Sequence, residues 1–153
     1  MANGQDKPSV LGKSLELANG DLAIVDGQLK LIRDRDNFLQ AMQIMIETPM
    51  GSDIFNVSYG FDLLNAISSP QSVSFIKDLI RLNIIKSLGQ DDRVREIKEI
   101  AFSDEPRFSQ ISPEFDSDQS NKLRKQSRQW QAVVVLQTIT EGDVALSLAG
   151  RGI

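Results

Sequence analysis

The chain has 153 residues, of which 41% are hydrophobic and 25% charged, and its net charge is −4. These values are ordinary for one folded domain with a real core, and the acidic balance argues against a dedicated nucleic-acid binder, which needs a basic face. The chain has no Cys and no His, which excludes disulfides, thiolate metal sites and histidine-based acid–base catalysis. No apolar run approaches the roughly 18 residues of a membrane helix, so we expect no membrane insertion.

The zero Cys count fits synthesis in the cytoplasm. The first residues are polar and lack a basic-then-apolar signal pattern. We predict a flexible arm over residues 1–19, followed by a single domain over residues 20–153. Residues 21–33 read as a hairpin, because apolar positions flank Asp26-Gly27, a dipeptide suited to a tight turn. A short hairpin of this kind needs another element to cover it.

Two main helices are predicted. The first starts near Asp34 and buries a stripe made by Phe38, Met42, Met45 and Ile46, before Pro49 and Gly51 end it. A loop over residues 48–60 follows, and we expect Phe55 and Tyr59 to pin it to the body of the domain. The second helix starts at Ser69-Pro70, follows a stripe from Val73 to Leu88 and ends at Gly89.

The second half of the chain is predicted to be mainly β. Residues 94–102 fit a helix through Val94, Ile97 and Ile100, but their β-branched content and short length favour a strand, which we predict from about residue 96. A long exposed loop over residues 109–127 follows. The basic cluster Lys122, Arg124, Lys125 and Arg128 at the end of that loop fits a solvated loop better than a binding patch. Residues 129–140 and 143–149 then form a C-terminal β-hairpin, whose edge strand can add to another protein's sheet. The fold class is therefore α+β, with a small mixed or antiparallel sheet of hairpins packed with two main helices.

Glu105-Pro106-Arg107 is the most informative stretch. Proline fixes its own φ and favours an extended Glu105, so we expect an acid and a base to project from a stiff, extended backbone. Such residues suit a fixed polar anchor, made either within the fold or to a partner protein. Nothing nearby in the sequence supplies a nucleophile, a metal ligand or a titrating base.

Catalytic motifs are absent: there is no phosphate-binding loop, dinucleotide fingerprint, nucleophile elbow or zinc-protease motif. Glu47 and Asp53 flank the turn at 48–52 and are the best candidates for a glycosidase-like carboxylate pair. The favoured interpretation is that Glu47 is a helix-end residue and Asp53 a loop residue, neither with a catalytic role. We therefore predict that the protein is not an enzyme and binds no cofactor and no metal.

The order of these features resembles the lysozyme-like baseplate wedge family of contractile tails, also called sheath initiators. The resemblance rests on Pro49, Gly51, Tyr59 and Gly60 between the two helices, and on the triplet Glu105-Pro106-Arg107, a hallmark of that family. It spans about residues 20–149. Residues 112–121, an acidic and Ser-rich insert, depart from the pattern.

The resemblance implies a structural baseplate component that links inner wedge proteins to the first sheath ring and nucleates sheath assembly. It implies several copies in a symmetric phage tail-like particle, with wedge and sheath proteins as partners and inner tube or hub proteins as further candidates. Glu105, Pro106 and Arg107 would lie at a wedge-facing contact, and the strand bearing Val144, Leu146 and Leu148 would pair with sheath strands. One alternative is a peptidoglycan-hydrolysing lysozyme-like enzyme that uses Glu47 and Asp53. Another is a free-standing binding module unrelated to contractile tails.

Overall fold

The computed structural model describes residues 9–62, 72–113, 129–140 and 142–151. The described chain is α+β, with antiparallel strand pairs and three helices, which confirms the predicted fold class. It divides into two compact units, residues 1–42 and residues 43–153. None of the described helices is both long and apolar enough to span a membrane.

The first unit holds six short strands: β1 (Lys13–Leu15), β2 (Leu17–Ala18), β3 (Asp21–Leu22), β4 (Ile24–Val25), β5 (Gln28–Leu29) and β6 (Leu31–Arg33). They pair antiparallel as β1 with β6, β2 with β3 and β4 with β5. The predicted turn at Asp26-Gly27 is present, and both residues have positive φ, the conformation that a tight hairpin turn requires. The predicted hairpin over 21–33 therefore exists only around this turn, because its outer parts pair with residues 13–18.

Residues 13–18 thus form strands inside the segment predicted as a flexible arm, and residues 1–8 lie outside the described residues. The prediction of a single domain over 20–153 stays a prediction. Apolar side chains of these hairpins are substantially exposed, among them Leu22, Ile24, Leu29 and Leu31.

Helix α1 (Asp34–Glu47) begins and ends where the sequence predicts. Its stripe is buried at all four expected positions, Phe38, Met42, Met45 and Ile46. Helix α2 (Val73–Leu88) is capped by Ser72, whose hydroxyl accepts from the Phe75 backbone N–H. The predicted start at Ser69-Pro70 lies outside the described residues. The inner face of α2 is buried through Ile76, Ile80, Ile84 and Leu88.

A three-stranded antiparallel sheet forms the core of the second unit. Strands β7 (Val94–Phe102), β8 (Gln129–Thr138) and β9 (Asp143–Arg151) lie in the order β7-β8-β9. Both strands of the predicted C-terminal hairpin are therefore present. On one face, buried pairs stand directly opposite one another: Ala132 with Leu148, Val134 with Leu146, and Leu136 with Val144.

The other face of β8 is covered by a short helix, α3 (Pro106–Ile111), that the sequence analysis did not predict. Its Phe108 is buried against Ala101 and Val133, and Ile111 packs beside them. The predicted exposed loop over 109–127 was therefore wrong for residues 109–111. Residues 114–128, including the basic cluster, lie outside the described residues.

The aromatic pair predicted to pin the 48–60 loop separates in the structure. Tyr59 is half-buried, whereas Phe55 is 94% exposed, so the expectation for Phe55 was wrong. Buried anchoring is instead supplied by Phe61, whose ring centroid lies 6.3 Å from that of Trp130.

Candidate partner-binding site

Glu105 is fixed within the domain by two different donors. One carboxylate oxygen accepts from Arg81, and the other accepts from the Phe102 backbone N–H at 3.0 Å. The Glu105 backbone N–H in turn donates to the Phe102 carbonyl at 2.9 Å. Glu105 is extended (φ −98°, ψ 141°), as expected before proline, and stands at the N-cap position of α3.

Arg81 links this carboxylate to the aromatic core. Its guanidinium lies 4.9 Å from the centroid of the Phe102 ring, a cation–π distance, and Phe102 stands edge-on to Trp130 with centroids 6.1 Å apart. Burial disfavours the charged form of Arg81, but the hydrogen bond and charge of Glu105, helped by Asp78, outweigh it and raise its pKa. Glu105 is therefore a partly exposed residue whose hydrogen bonds stabilise the fold.

Arg107 stands on a helix and not on extended backbone as the sequence analysis expected, because Pro106 is the first residue of α3. Its guanidinium forms a bidentate ion pair with the Glu99 carboxylate, with N–O distances of 2.8 and 2.9 Å, and also donates to the Gln110 side-chain oxygen at 2.6 Å. The hydrogen bond from Arg107 holds the pKa of Glu99 below its usual range. The Arg107 side chain is still 61% exposed.

Glu105 and Arg107 therefore do not pair with each other, and each has a partner inside the domain. Glu99 follows an irregularity in the β7–β8 register between Ile97 and Glu99, where the strand departs from regular pairing. The triplet thus contributes the partly exposed Glu105, paired with Arg81, and the largely exposed guanidinium of Arg107 two residues later. This arrangement leaves hydrogen-bonding groups available at the surface.

An apolar stripe on α2 lies next to this polar element and was missed by the sequence analysis. Phe75, Leu82 and Ile85 are 45%, 62% and 47% exposed. Their spacings of seven and three residues place them on one face of the helix. The exposed Asp78 lies on that face between Phe75 and Leu82, and Arg81 borders it. The sequence signal was present, since these residues fall outside the core stripe of the same helix. We call Phe75, Leu82 and Ile85 the α2 stripe.

The Pro49–Gly60 motif is a backbone clamp. The Phe61 N–H donates to the Thr48 carbonyl at 2.8 Å, and the Met50 N–H donates to the Phe61 carbonyl at 3.1 Å. Gly60 has φ +107°, and a Cβ there would collide with the Thr48 carbonyl oxygen, so glycine is required. The buried Ser87 hydroxyl donates to the Gly60 carbonyl at 2.8 Å, which ties the clamp to α2.

The outer edge of β9 pairs with no other strand in the described part of the chain. The Thr138 N–H donates to the Gly142 carbonyl at 3.1 Å, and the Ser103 N–H donates to the Gln131 carbonyl at 2.9 Å. Along an antiparallel strand, the backbone N–H and C=O groups of successive residues point alternately to the two sides. These two bonds therefore determine which residues of β8 and β9 direct their backbone groups towards each other.

The amide groups of Val144, Leu146 and Leu148 therefore face β8, and their side chains are buried in the core. The amide groups of Ala145, Ser147 and Ala149 face outward, and no strand in the described part of the chain pairs with them. Positions 144, 146 and 148 of β9 therefore serve the fold, whereas positions 145, 147 and 149 present backbone groups at the outer edge.

Comparison with known families decides the identity. The family model of the contractile injection system sheath initiator matches residues 14–121, more than half of the chain. The chain belongs to the sheath initiator family. A search of curated proteins finds no match. Membership supports a structural, sheath-related role in a contractile injection system, within a phage tail-like particle, and implies interaction with sheath and baseplate components.

The match covers the clamp, α2 and the Glu-Pro-Arg triplet of this sheath initiator, whereas β8 and β9 follow it in the sequence. The predicted resemblance is thereby confirmed at the level of the family. The assignment of partner contacts to Glu105, Pro106, Arg107 and the last strand stays a prediction.

The two carboxylates considered for hydrolysis in this sheath initiator have local partners. Glu47 accepts from the Gln43 amide at 2.9 Å. Asp53 accepts from the backbone N–H groups of Phe55 at 2.8 Å and Asn56 at 3.3 Å, which is the bonding of a turn-forming aspartate. Among the residues that the structure describes, no group of three or more acidic side chains could hold a metal ion.

Proposed function

We propose that this sheath initiator is a non-enzymatic baseplate component that links inner wedge proteins to the first sheath ring and nucleates sheath assembly. Several copies act in one symmetric particle, which is assembled in the cytoplasm. The observation that carries this proposal is the free outer edge of β9, whose outward amide groups offer a template for an added strand.

The sheath-facing contact is assigned to the backbone of β9. The side chains of Val144, Leu146 and Leu148 hold the domain together, so their part in sheath binding is to position the strand. Removal of β9 would expose this core and unfold the second unit, which makes truncation a poor test of strand addition.

A proline at position 147 gives a sharper test. Because the Ser147 N–H points away from β8, Ser147→Pro removes an outward donor while it leaves the β8–β9 hydrogen bonds intact, as edge strands tolerate. We expect the variant to fold and to enter baseplates but to abolish sheath growth, scored by electron microscopy of purified particles. Ser147→Ala, which keeps the N–H, is the matched control and should support full-length sheaths. Normal sheaths on Ser147→Pro baseplates would refute strand addition at β9.

The wedge-facing contact is assigned to the triplet and the adjoining α2 stripe. A helix face that combines apolar side chains with the charged Asp78 and Arg81 suits a partner helix. Arg107 can exchange Glu99 for a partner carboxylate, since both side chains already reach solvent.

Arg107→Ala and Leu82→Asp should each leave the domain folded but block its incorporation into baseplates. The measurement is the amount of tagged protein that copurifies with wedge proteins from the native host. Val10→Asp, at a 63% exposed apolar position far along the chain from both elements, is the control for a surface charge. Wild-type copurification of both test variants would refute this assignment.

A further inference from the structure

Among the described residues of the second unit, those of the loop over 52–58 include the most exposed apolar side chains. Phe55 is 94% exposed, Ile54 81% and Val57 67%. Exposed single apolar residues are common, but three within four positions, with an aromatic at the centre, form a patch that is typical of an interaction site.

The loop is held rigid by its own hydrogen bonds. Asp53 caps the backbone N–H groups of Phe55 and Asn56, and the Tyr59 N–H donates to the Asn56 carbonyl at 3.0 Å. The Ser58 hydroxyl donates to the Asn56 side chain at 2.9 Å. The clamp between residues 48 and 61 closes the base of the loop. A loop backbone ordered in this way loses little conformational freedom on binding, which favours affinity.

The charge around the loop specifies the partner's chemistry. The charged groups that act on Tyr59 at the end of this loop are Asp53, Asp91 and Arg93. Asp91 and Arg93 form an ion pair with each other, so Asp53 leaves the loop with a net negative charge. A complementary surface therefore has an apolar pocket for an aromatic ring and a basic border, since like charges across an interface are unfavourable.

We propose that the 52–58 loop is a third docking element, in which Phe55 fills an apolar pocket, bordered by Lys or Arg, on another protein of the particle. The pocket belongs to a different contact from those assigned to β9 and to the α2 stripe. Asp53 has two roles here: it orders the loop and faces the basic border. The identity of the partner as a particle component rests on the proposed function, whereas its pocket chemistry rests on the loop.

The decisive experiment places a photo-crosslinking residue at position 55. Phe55→p-benzoylphenylalanine is expressed in the native host, particles are purified and irradiated, and crosslinked peptides are identified by mass spectrometry. We expect one dominant crosslink, to one particle protein, at apolar residues with Lys or Arg beside them. The same residue at Val10 is the control and should give no crosslink at that site.

A competition experiment tests the energetic role. Wild-type and Phe55→Ala chains, with different tags and equal expression, compete for incorporation into particles. Loss of a buried aromatic anchor weakens binding by about thirtyfold or more, so Phe55→Ala should be depleted at least tenfold. Isolated Phe55→Ala should melt as the wild type does, because the ring makes little contact with its own domain.

Asp53 supplies matched variants for the same competition. Asp53→Asn keeps an oxygen that accepts from the loop backbone but removes the charge, and Asp53→Ala removes both. We expect Asp53→Asn to be depleted less than Phe55→Ala, and its depletion to diminish at high salt. Asp53→Ala should be depleted more than Asp53→Asn.

The proposal would be overturned by equal incorporation of Phe55→Ala, by crosslinks only within this chain or to a second copy of it, or by crosslinks to a surface without basic residues. Wild-type chains that never enter particles would instead refute the proposed function. Incorporated chains without a crosslink at residue 55 would refute the docking element alone.

Discussion

Glu105→Ala is expected to destabilise the second unit, because one side chain serves both Arg81 and the Phe102 backbone N–H. A hydrogen bond to a charged acceptor contributes about 1.5–3 kcal/mol. Arg81 is partly exposed and keeps its ion pair with Asp78. Loss of the Arg81–Glu105 ion pair therefore adds at most about 1 kcal/mol. The free energy of unfolding should fall by about 2–4 kcal/mol. With a urea m-value of about 2 kcal/mol/M, the unfolding midpoint drops by about 1–2 M.

Urea unfolding monitored by tryptophan fluorescence measures this directly, because the chain has one Trp and Trp130 packs against Phe102. Glu105→Gln is the matched control: it retains an oxygen for the Phe102 N–H and should recover about half of the loss. Arg107→Ala should leave the midpoint close to that of the wild type, since its pair with Glu99 is solvent-exposed. An Arg107→Ala variant as unstable as Glu105→Ala would refute the division of the triplet into a structural acid and an exposed base.

Two further predictions concern the clamp and acid stability. Gly60→Ala should lower the free energy of unfolding by about 3 kcal/mol, from left-handed strain plus lost clamp hydrogen bonds. The control is Gly51→Ala, because Gly51 has φ +82° and no atom near its Cβ position. It should lower the free energy of unfolding by only about 1–2 kcal/mol in urea. Equal losses of stability in the two variants would contradict a steric requirement at residue 60. The hydrogen bond from Arg93 lowers the pKa of Asp91, so this pair's stabilisation is present above the unfolded-state pKa of about 3.9 and is lost as the pH falls through the lower folded value. Thermal melts from pH 6 to pH 2 should show a smaller acid loss for Asp91→Asn than for the wild type, and parallel curves would contradict this.

Local patterns predicted the elements whose signals lie within a few residues. The stripe of α1 and the turn at Asp26-Gly27 follow from periodicity and from the backbone conformation that a tight turn requires. Helix α3 escaped prediction because it has six residues, too few for a clear period, and because Pro106 signals a turn as readily as a first helical position.

The candidate site depends on contacts between distant positions, and these were not predictable from one sequence. Arg81 lies 24 residues from Glu105, and Glu99 lies eight from Arg107, so only the folded backbone brings each pair together. The exposure of Phe55 was misjudged for a related reason: hydrophobicity favours burial on average, but here the hydrogen bonds of Asp53 determine the loop's conformation.

The composition of β9 has a consequence for the unassembled protein. Natural edge strands are commonly protected from self-association by lysine, proline or another charge, yet residues 144–150 contain none of these. The outward positions Ala145, Ser147 and Ala149 are small and uncharged, so these residues themselves offer no steric or electrostatic obstacle to a second edge strand. If partner proteins cover this edge as proposed, chains made in excess of those partners should associate edge to edge.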